Sequence, residues 1–265
     1  MNINSVTGLY FSPTGTTKKI IESIIAELGI INIEFIDITN IDCRNNTNRI
    51  ISSDLLVIGF PVYEEHVPDQ VTGYLKNVLS TTKFAVAISL YGNIGFGMSL
   101  IEINKILKEK NIKLLSTGAF IGEHSFAKKD VPLAMGRPNE SDLVDSSNMA
   151  RLIKERYNLG YILDENRIPG KLPLMSKILP PNSAKLFTKP PIINSNCIKC
   201  GICIKKCPMG AIQSDYTIDE VKCIRCFACV KFCKFEGRAI NYKINFLVKH
   251  MLLNKNKIAK NNFYM

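Results

Sequence analysis

The sequence predicts an α/β fold, a doubly wound five-stranded parallel sheet followed by a small α+β unit. Three observations predict it. Through the first 160 residues, apolar runs of strand length alternate with amphipathic helical patterns, as expected when helices cover both faces of a parallel sheet. Six of the 12 prolines then fall between Pro169 and Pro191, where they resist regular structure and read as a semi-rigid linker. Eight of the 9 cysteines lie between Cys197 and Cys233, which marks a compact second module. The expected division is a first domain at 1–168, the linker at 169–193, a cysteine-rich domain at 194–242 and a basic tail at 243–265.

The elements follow in order. Val6–Phe11 reads as a buried strand, and Thr17–Leu28 as a helix whose apolar side carries Ile20, Ile21, Ile24, Ile25 and Leu28. Gly29 supplies its stop. Further strands are predicted at Ile33–Ile38, Leu55–Gly59, Phe84–Tyr91 and Leu114–Ile121. Helical patterns occupy Asp69–Leu79, Met98–Lys110 and Glu140–Leu159. In the tail, Ile244, Leu247, Val248, Met251 and Leu252 give a basic amphipathic helix.

No apolar stretch approaches the roughly 18 residues that span a bilayer, and the first residues do not read as a signal peptide. The net charge of +11 is uneven: 13 Lys and Arg against 16 Asp and Glu up to residue 150, then 21 against 7. A basic half points to nucleic acid or anionic lipid. Ligated cysteines compete with that reading, because two four-iron clusters would add about −2 each. Docking of the tail onto the chain's own modules is expected in preference to a membrane or nucleic acid.

"CIKCGICIKKCP" sets Cys197, Cys200, Cys203 and Cys207 in the spacing C-x2-C-x2-C-x3-C-P, and "CIRCFACVKFCK" repeats the spacing at Cys223, Cys226, Cys229 and Cys233. Three close thiolates cup one face of an iron–sulfur cube, and the x3 step carries the chain to its neighbour. Zinc sites use separated C-x2-C pairs, and a disulfide framework belongs with a secretory signal. Two [4Fe–4S] clusters are therefore expected. The segment from Asn194 to about Tyr242 resembles the bacterial two-cluster ferredoxins. That resemblance implies crossed ligation, with Cys197, Cys200, Cys203 and Cys233 on one cluster and Cys207, Cys223, Cys226 and Cys229 on the other. Lys234 stands where the pattern has proline, and the step from Cys233 to Ala239-Ile240 is longer than that from Cys207 to Ala211-Ile212. A different backbone is expected beside Cys233. Cys43, alone in a polar stretch, reads as an incidental thiol.

"FSPTGTT", Phe11 to Thr17, links the first strand to the first helix, where an open α/β sheet presents N–H groups and a positive helix end to an anion. No lysine-dependent nucleotide loop is present. The stretch matches [ST]-x-T-G-x-T, and residues 1–160 resemble the flavodoxins, which implies strand order 2-1-3-4-5 and a bound FMN. The resemblance implies that Ser12, Pro13, Thr14, Gly15, Thr16 and Thr17 hold the phosphate. Pro61, Val62 and Tyr63 would form one wall of the flavin ring, and Tyr91, Gly92 and Asn93 the other. Gly92, Gly95 and Gly97 do not make a dinucleotide fingerprint. The aperiodic stretch Gly122 to Ser141 is a candidate cover for the ligand. His124 and Arg137 within it, and His66 beside the flavin loop at Pro61–Tyr63, are candidate proton donors, although structural roles are favoured for each.

The whole chain is similar to the flavodoxin–ferredoxin fusion proteins. This implies a cytoplasmic electron-transfer iron–sulfur flavoprotein whose partner is a protein electron donor or acceptor, with no nucleic acid and no membrane span. Two alternatives stay open: a flavin reductase with a substrate over the ring, and a redox-sensing binding protein using its basic tail.

Overall fold

The computed structural model describes residues 2–172, 182–243, 245–255 and 259–265. Pro173, Pro180 and Pro181 of the expected linker, and Ile244 of the tail helix, lie outside the described residues.

Up to residue 159, strands β1 (Ser5–Tyr10), β2 (Asn32–Asp37), β3 (Ile50–Ile51), β4 (Leu55–Pro61), β5 (Leu79–Ser80), β6 (Phe84–Tyr91) and β7 (Lys113–Ile121) are interspersed with helices α1 (Thr16–Leu28), α2 (Ile41–Asn45), α3 (Asp69–Asn77), α4 (Ser99–Glu109) and α5 (Glu140–Leu159), and β8 (Asn262–Tyr264) lies near the end of the chain. The main sheet runs β2-β1-β4-β6-β7-β8, and β3 pairs separately with β5. The five major strands are mutually parallel, in the order of a flavodoxin-like doubly wound sheet. The tail corrects the expected count of strands. Residues Asn262–Tyr264 close the edge of the sheet as an antiparallel sixth strand on β7.

Period-two alternation sorts each strand between two cores. Leu9, Leu56, Ile58 and Phe60 face α3 and α4, where Val71, Tyr74, Leu100 and Ile103 are buried. Val6, Tyr10, Leu55 and Val57 face α1 and α5, against Ile20, Ile24, Met149 and Ile153. Each aliphatic side chain buried this way contributes about 1.5–3 kcal/mol. Helix α1 lies tight on the sheet because Gly59 has no side chain: a Cβ there would stand 2.3 Å from Ile21 Cγ1 and 2.9 Å from Thr17 Cγ2. That close approach fixes the start of α1, and with it the turn before it.

Beyond residue 160 come short helices α6 (Ala184–Phe187), α7 (Ile202–Lys205), α8 (Ala228–Lys231) and the tail helix α9 (Asn245–Leu253). A third core ties them to the sheet domain. Phe126, Val131 and Leu133 of the long loop pack with Phe227, Ile240 and Tyr242 of the cysteine-rich module and with Val248 and Leu252 of α9. Among the described residues no helix is long and apolar enough to cross a membrane.

Candidate functional site

The hydroxyl-rich turn closes on itself before α1 begins. Gly15, at φ 89°, donates its N–H to Ser12 O at 3.1 Å and serves as N-cap without a side-chain bond. Ser12 Oγ accepts the N–H of Lys18 at 2.9 Å, so one of the four hydroxyls does cap the helix. The others do not. Thr14 and Thr16 bring their Oγ1 atoms within 3.4 Å of each other, and the buried Thr17 Oγ1 has no partner among the described residues. The N–H groups of Thr14, Thr16 and Thr17 find no acceptor there either. Unpaired donors beside a positive helix end fit a phosphate monoester.

The two expected flavin walls differ. Beside Pro61, Val62 donates to Leu90 O at 2.7 Å, and Tyr63 and His66 exchange backbone bonds around Glu64 and Glu65, both at positive φ. Tyr63 packs edge-on against Phe11 with ring centroids 6.5 Å apart. Tyr63 is half-buried, and desolvation followed by the Cys226 thiol raises its hydroxyl well above the ordinary tyrosine range. On the other side, Tyr91 is buried against Phe96 and its hydroxyl reaches Lys260 O at 3.5 Å. Asn93 Nδ2 donates to Lys255 O at 3.0 Å. Gly92 makes room for a side chain of the protein itself, since a Cβ there would lie 2.3 Å from His124 Cδ2. The second wall is thus engaged by the tail and by His124.

The long loop binds the cysteine-rich module, which gives it a role that the sequence reading, as a ligand cover, did not foresee. Lys231, in the turn after Cys229, meets Glu123 at 2.5 Å and Ala127 O at 2.7 Å. Tyr242 donates to Phe126 O at 2.7 Å, and Lys249 pairs with Asp130. The three candidate proton donors all have structural partners. His66 Nδ1 lies 2.5 Å from Glu102, and Arg137 pairs with the buried Asp142. His124 Nδ1 accepts the Phe126 N–H at 3.0 Å. Burial and then Lys231 bring His124 down to about 4, so its ring is neutral near pH 7 and has no second proton to give.

The two cysteine loops trace the same backbone. Positive φ recurs at matched positions: Lys199 (56°) and Arg225 (57°), Gly201 (76°) and Phe227 (57°), Gly210 (57°) and Glu236 (50°). Cys207 Sγ accepts the Ala211 N–H at 3.3 Å, and Cys233 Sγ accepts the Gly237 N–H at 3.1 Å. Beside Cys233 the backbone keeps the course of the first loop as far as Gly237. Gly237, not Ala239, takes the place of Ala211, and the two extra residues enter after it. A Cβ at Gly237 would stand 3.0 Å from Cys197 Cα.

One cavity is lined by Cys197, Cys200, Cys203 and Cys233, with Arg238 in its wall. Arg238 is 3% exposed and its Nε has no partner among the described residues. In the other set, Cys226 and Cys229 are buried. Burial, and then the thiols of Cys229, Cys207 and Cys223, push Cys226 far up; Cys229 is pushed up to about 12 by burial, with Cys223, Cys207 and Cys203 nearby. Arg225, also 3% exposed, keeps Nε and Nη1 unpartnered. No three His, Cys, Asp or Glu side chains among the described residues crowd around one metal-ion position. A four-iron cube takes each thiolate on a different iron, so its donors ring a cavity instead, and buried arginine N–H groups suit the charge of such a cluster. Neither arginine is marked in the sequence by anything except its place within or after a cysteine loop.

Residues 190–213 match the family model described as a 4Fe-4S binding domain. No curated protein matches the chain. Among solved structures, the chain is similar to a flavodoxin from the domain Archaea, at 14% identity over 58% of this chain and 99% of that one, with a TM-score of 0.38. It is also similar to oxidised flavodoxin 2 from Bacillus cereus, at 14% identity over 57% and 99%, TM-score 0.41. A third is an NAD(P)H:quinone oxidoreductase from Methanothermobacter marburgensis, at 12% identity over 61% and 98%, TM-score 0.39. These likenesses add nothing to what the strand order already states. A flavodoxin-like sheet domain joined to a 4Fe-4S binding segment fits a flavodoxin–ferredoxin fusion.

Proposed function

We propose that the chain is an electron-transfer iron–sulfur flavoprotein. In this reading Cys197, Cys200, Cys203 and Cys233 hold one [4Fe–4S] cluster, and Cys207, Cys223, Cys226 and Cys229 hold a second. The turn from Ser12 to Thr17 holds the phosphate of FMN, and Pro61–Tyr63 lie along its ring. When bound, the clusters supply single electrons and the flavin accepts one or two. The observation that carries the reading is the packing of Phe227, between Cys226 and Cys229, on the long loop of the sheet domain, which sets the buried set of thiols against the flavodoxin-like domain. The shared core at Phe126 and Phe227, ring centroids 5.5 Å apart, keeps the two modules together without reliance on the linker. A reducing compartment such as the cytoplasm suits thiols that must stay free to bind iron.

The test is anaerobic purification with counts of iron, sulfide and flavin, expected to give two four-iron clusters and one FMN per chain. Each charge-assisted hydrogen bond is worth roughly 1.5–3 kcal/mol. Thr14→Ala with Thr17→Ala should therefore weaken FMN by about two to four decades in a flavin titration. Unchanged affinity would leave the turn as a helix start only.

A further inference from the structure

The two cysteine sets differ in access, and the mouth of the open one has a distinct charge. Cys200 is exposed. Beside the cavity, Ile198 is 59% and Phe235 44% exposed. Lys199 lies between Ile198 and Cys200 in sequence, and Lys234 between Cys233 and Phe235; both are exposed, as are Lys205 and Lys206 just beyond. No acidic residue occurs from Pro190 to Ser214. The acids next along the chain are Asp215, which accepts the Thr217 hydroxyl at 2.7 Å, and Glu236, which faces Lys129 at 3.5 Å. Among the described residues none of the four lysines is in an ion pair. Arg238 places one buried cation beside the open set, whereas the four lysines are exposed and face solvent. A small apolar centre with a cationic rim around a redox site is a surface that an acidic protein recognises.

Building on the electron-transfer reading, we propose that this mouth docks an acidic one-electron carrier protein. One electron leaves the reduced carrier and enters the open cluster, with no bond formed or broken and no proton moved. The buried set, whose loop packs on the sheet domain through Phe227, is then the next centre toward the flavin.

The test uses the full-length holoprotein and a small acidic ferredoxin of known sequence as probe. Binding of the oxidised ferredoxin and its rate of reducing the clusters are measured at low and high salt. Lys199→Glu with Lys234→Glu should weaken binding and slow reduction about tenfold or more at low salt, with the difference closing at high salt. Lys83→Glu with Lys113→Glu, two exposed lysines at the amino ends of the strands, controls for net charge and should change both far less. Equal effects from the two pairs, or a rate indifferent to salt, would overturn the docking face. A small chemical reductant separates the two ideas. Clusters that it reduces normally, in a protein that the acidic carrier does not bind, would sink only the docking proposal. Absence of reducible clusters in the holoprotein would sink the electron-transfer reading beneath it.

Discussion

At Gly201 and Phe227 the two cysteine loops make the same left-handed step, φ 76° and 57°. In the first loop the residue is a glycine whose missing side chain would meet nothing within 4 Å. In the second it is a phenylalanine, 2% exposed, with its ring edge-on to Phe126. A left-handed conformation costs an ordinary residue roughly 1–2 kcal/mol. Glycine avoids that cost, whereas Phe227 offsets it by filling the core between modules. Local repetition therefore fixes the shape of each loop, and what surrounds the loop decides its role: one set opens to solvent and the other faces the sheet domain.

The largest way to break this comparison is to remove the crossing ligands one at a time. Cys207→Ala should strip iron from the buried set, and Cys233→Ala from the open set, each losing about half of the bound iron. Site-resolved spectroscopy of the two variants distinguishes them. Because ligation and folding are coupled in such modules, the Cys207 change should also loosen the contact with the sheet domain, seen as faster proteolysis around Lys231. If both variants lost the same cluster, the assignment by surroundings would be wrong.

Phe227→Ala comes next. Truncating a buried phenylalanine costs about 3–5 kcal/mol, and here it leaves the backbone strain unrelieved. Gly201→Ala at the matching position meets only the backbone cost, about 1–2 kcal/mol. Chemical denaturation followed by circular dichroism should rank them in that order.

Acid should also act on the buried side first. His124 titrates near 6.5 when unfolded and near 4 in the fold, lowered by burial and then by Lys231. Between those values the unfolded chain holds a proton that the folded chain refuses, so stability is complete above pH 6.5 and is lost as pH falls toward 4. The full loss is about 3 kcal/mol. Unfolding measured at pH 7 and pH 4.5 should show the decline, and His124→Asn should flatten it.

Much of this was legible in the sequence, for identifiable reasons. The strand at Leu55 announces itself as an unbroken apolar run because both faces of a central parallel strand are buried, and the helix after Thr16 by its 3.6 period. Spacing alone revealed the cysteine loops, since it encodes the reach of a thiolate to a cube. Other features had no local signal. Asn262–Tyr264 is a strand only because β7 has a free edge more than 140 residues away. The stretch from Glu123 to Asp130 is aperiodic because its partners, Lys231, Tyr242 and Lys249, belong to another module. The repeated Ala-Ile pair misaligned the ends of the two loops. The matched N–H groups belong to Ala211 and Gly237, and a hydrogen bond to sulfur leaves no mark on the side chain that follows it.

The smallest effects lie at the position three residues after each last cysteine, where they should have opposite signs. Gly210 and Glu236 both take positive φ, 57° and 50°, and both donate their N–H to the cysteine carbonyl, at 3.2 and 3.3 Å. Glutamate is the residue out of place. Replacing it with glycine removes the left-handed cost, at a gain below about 1 kcal/mol once the greater freedom of glycine in the unfolded chain is counted. The lost contact to Lys129 subtracts little, since the two side chains are 76% and 93% exposed and 3.5 Å apart, a geometry worth about 0–1 kcal/mol. Asn194 Nδ2 still donates to the carbonyl of residue 236, because the acceptor is a backbone oxygen that the substitution keeps. Gly210→Ala runs the other way and should cost about 1 kcal/mol. Paired urea titrations of the two variants should therefore move to opposite sides of the parent protein. A shift in the same direction would mean that the loops are not equivalent beyond their cysteines.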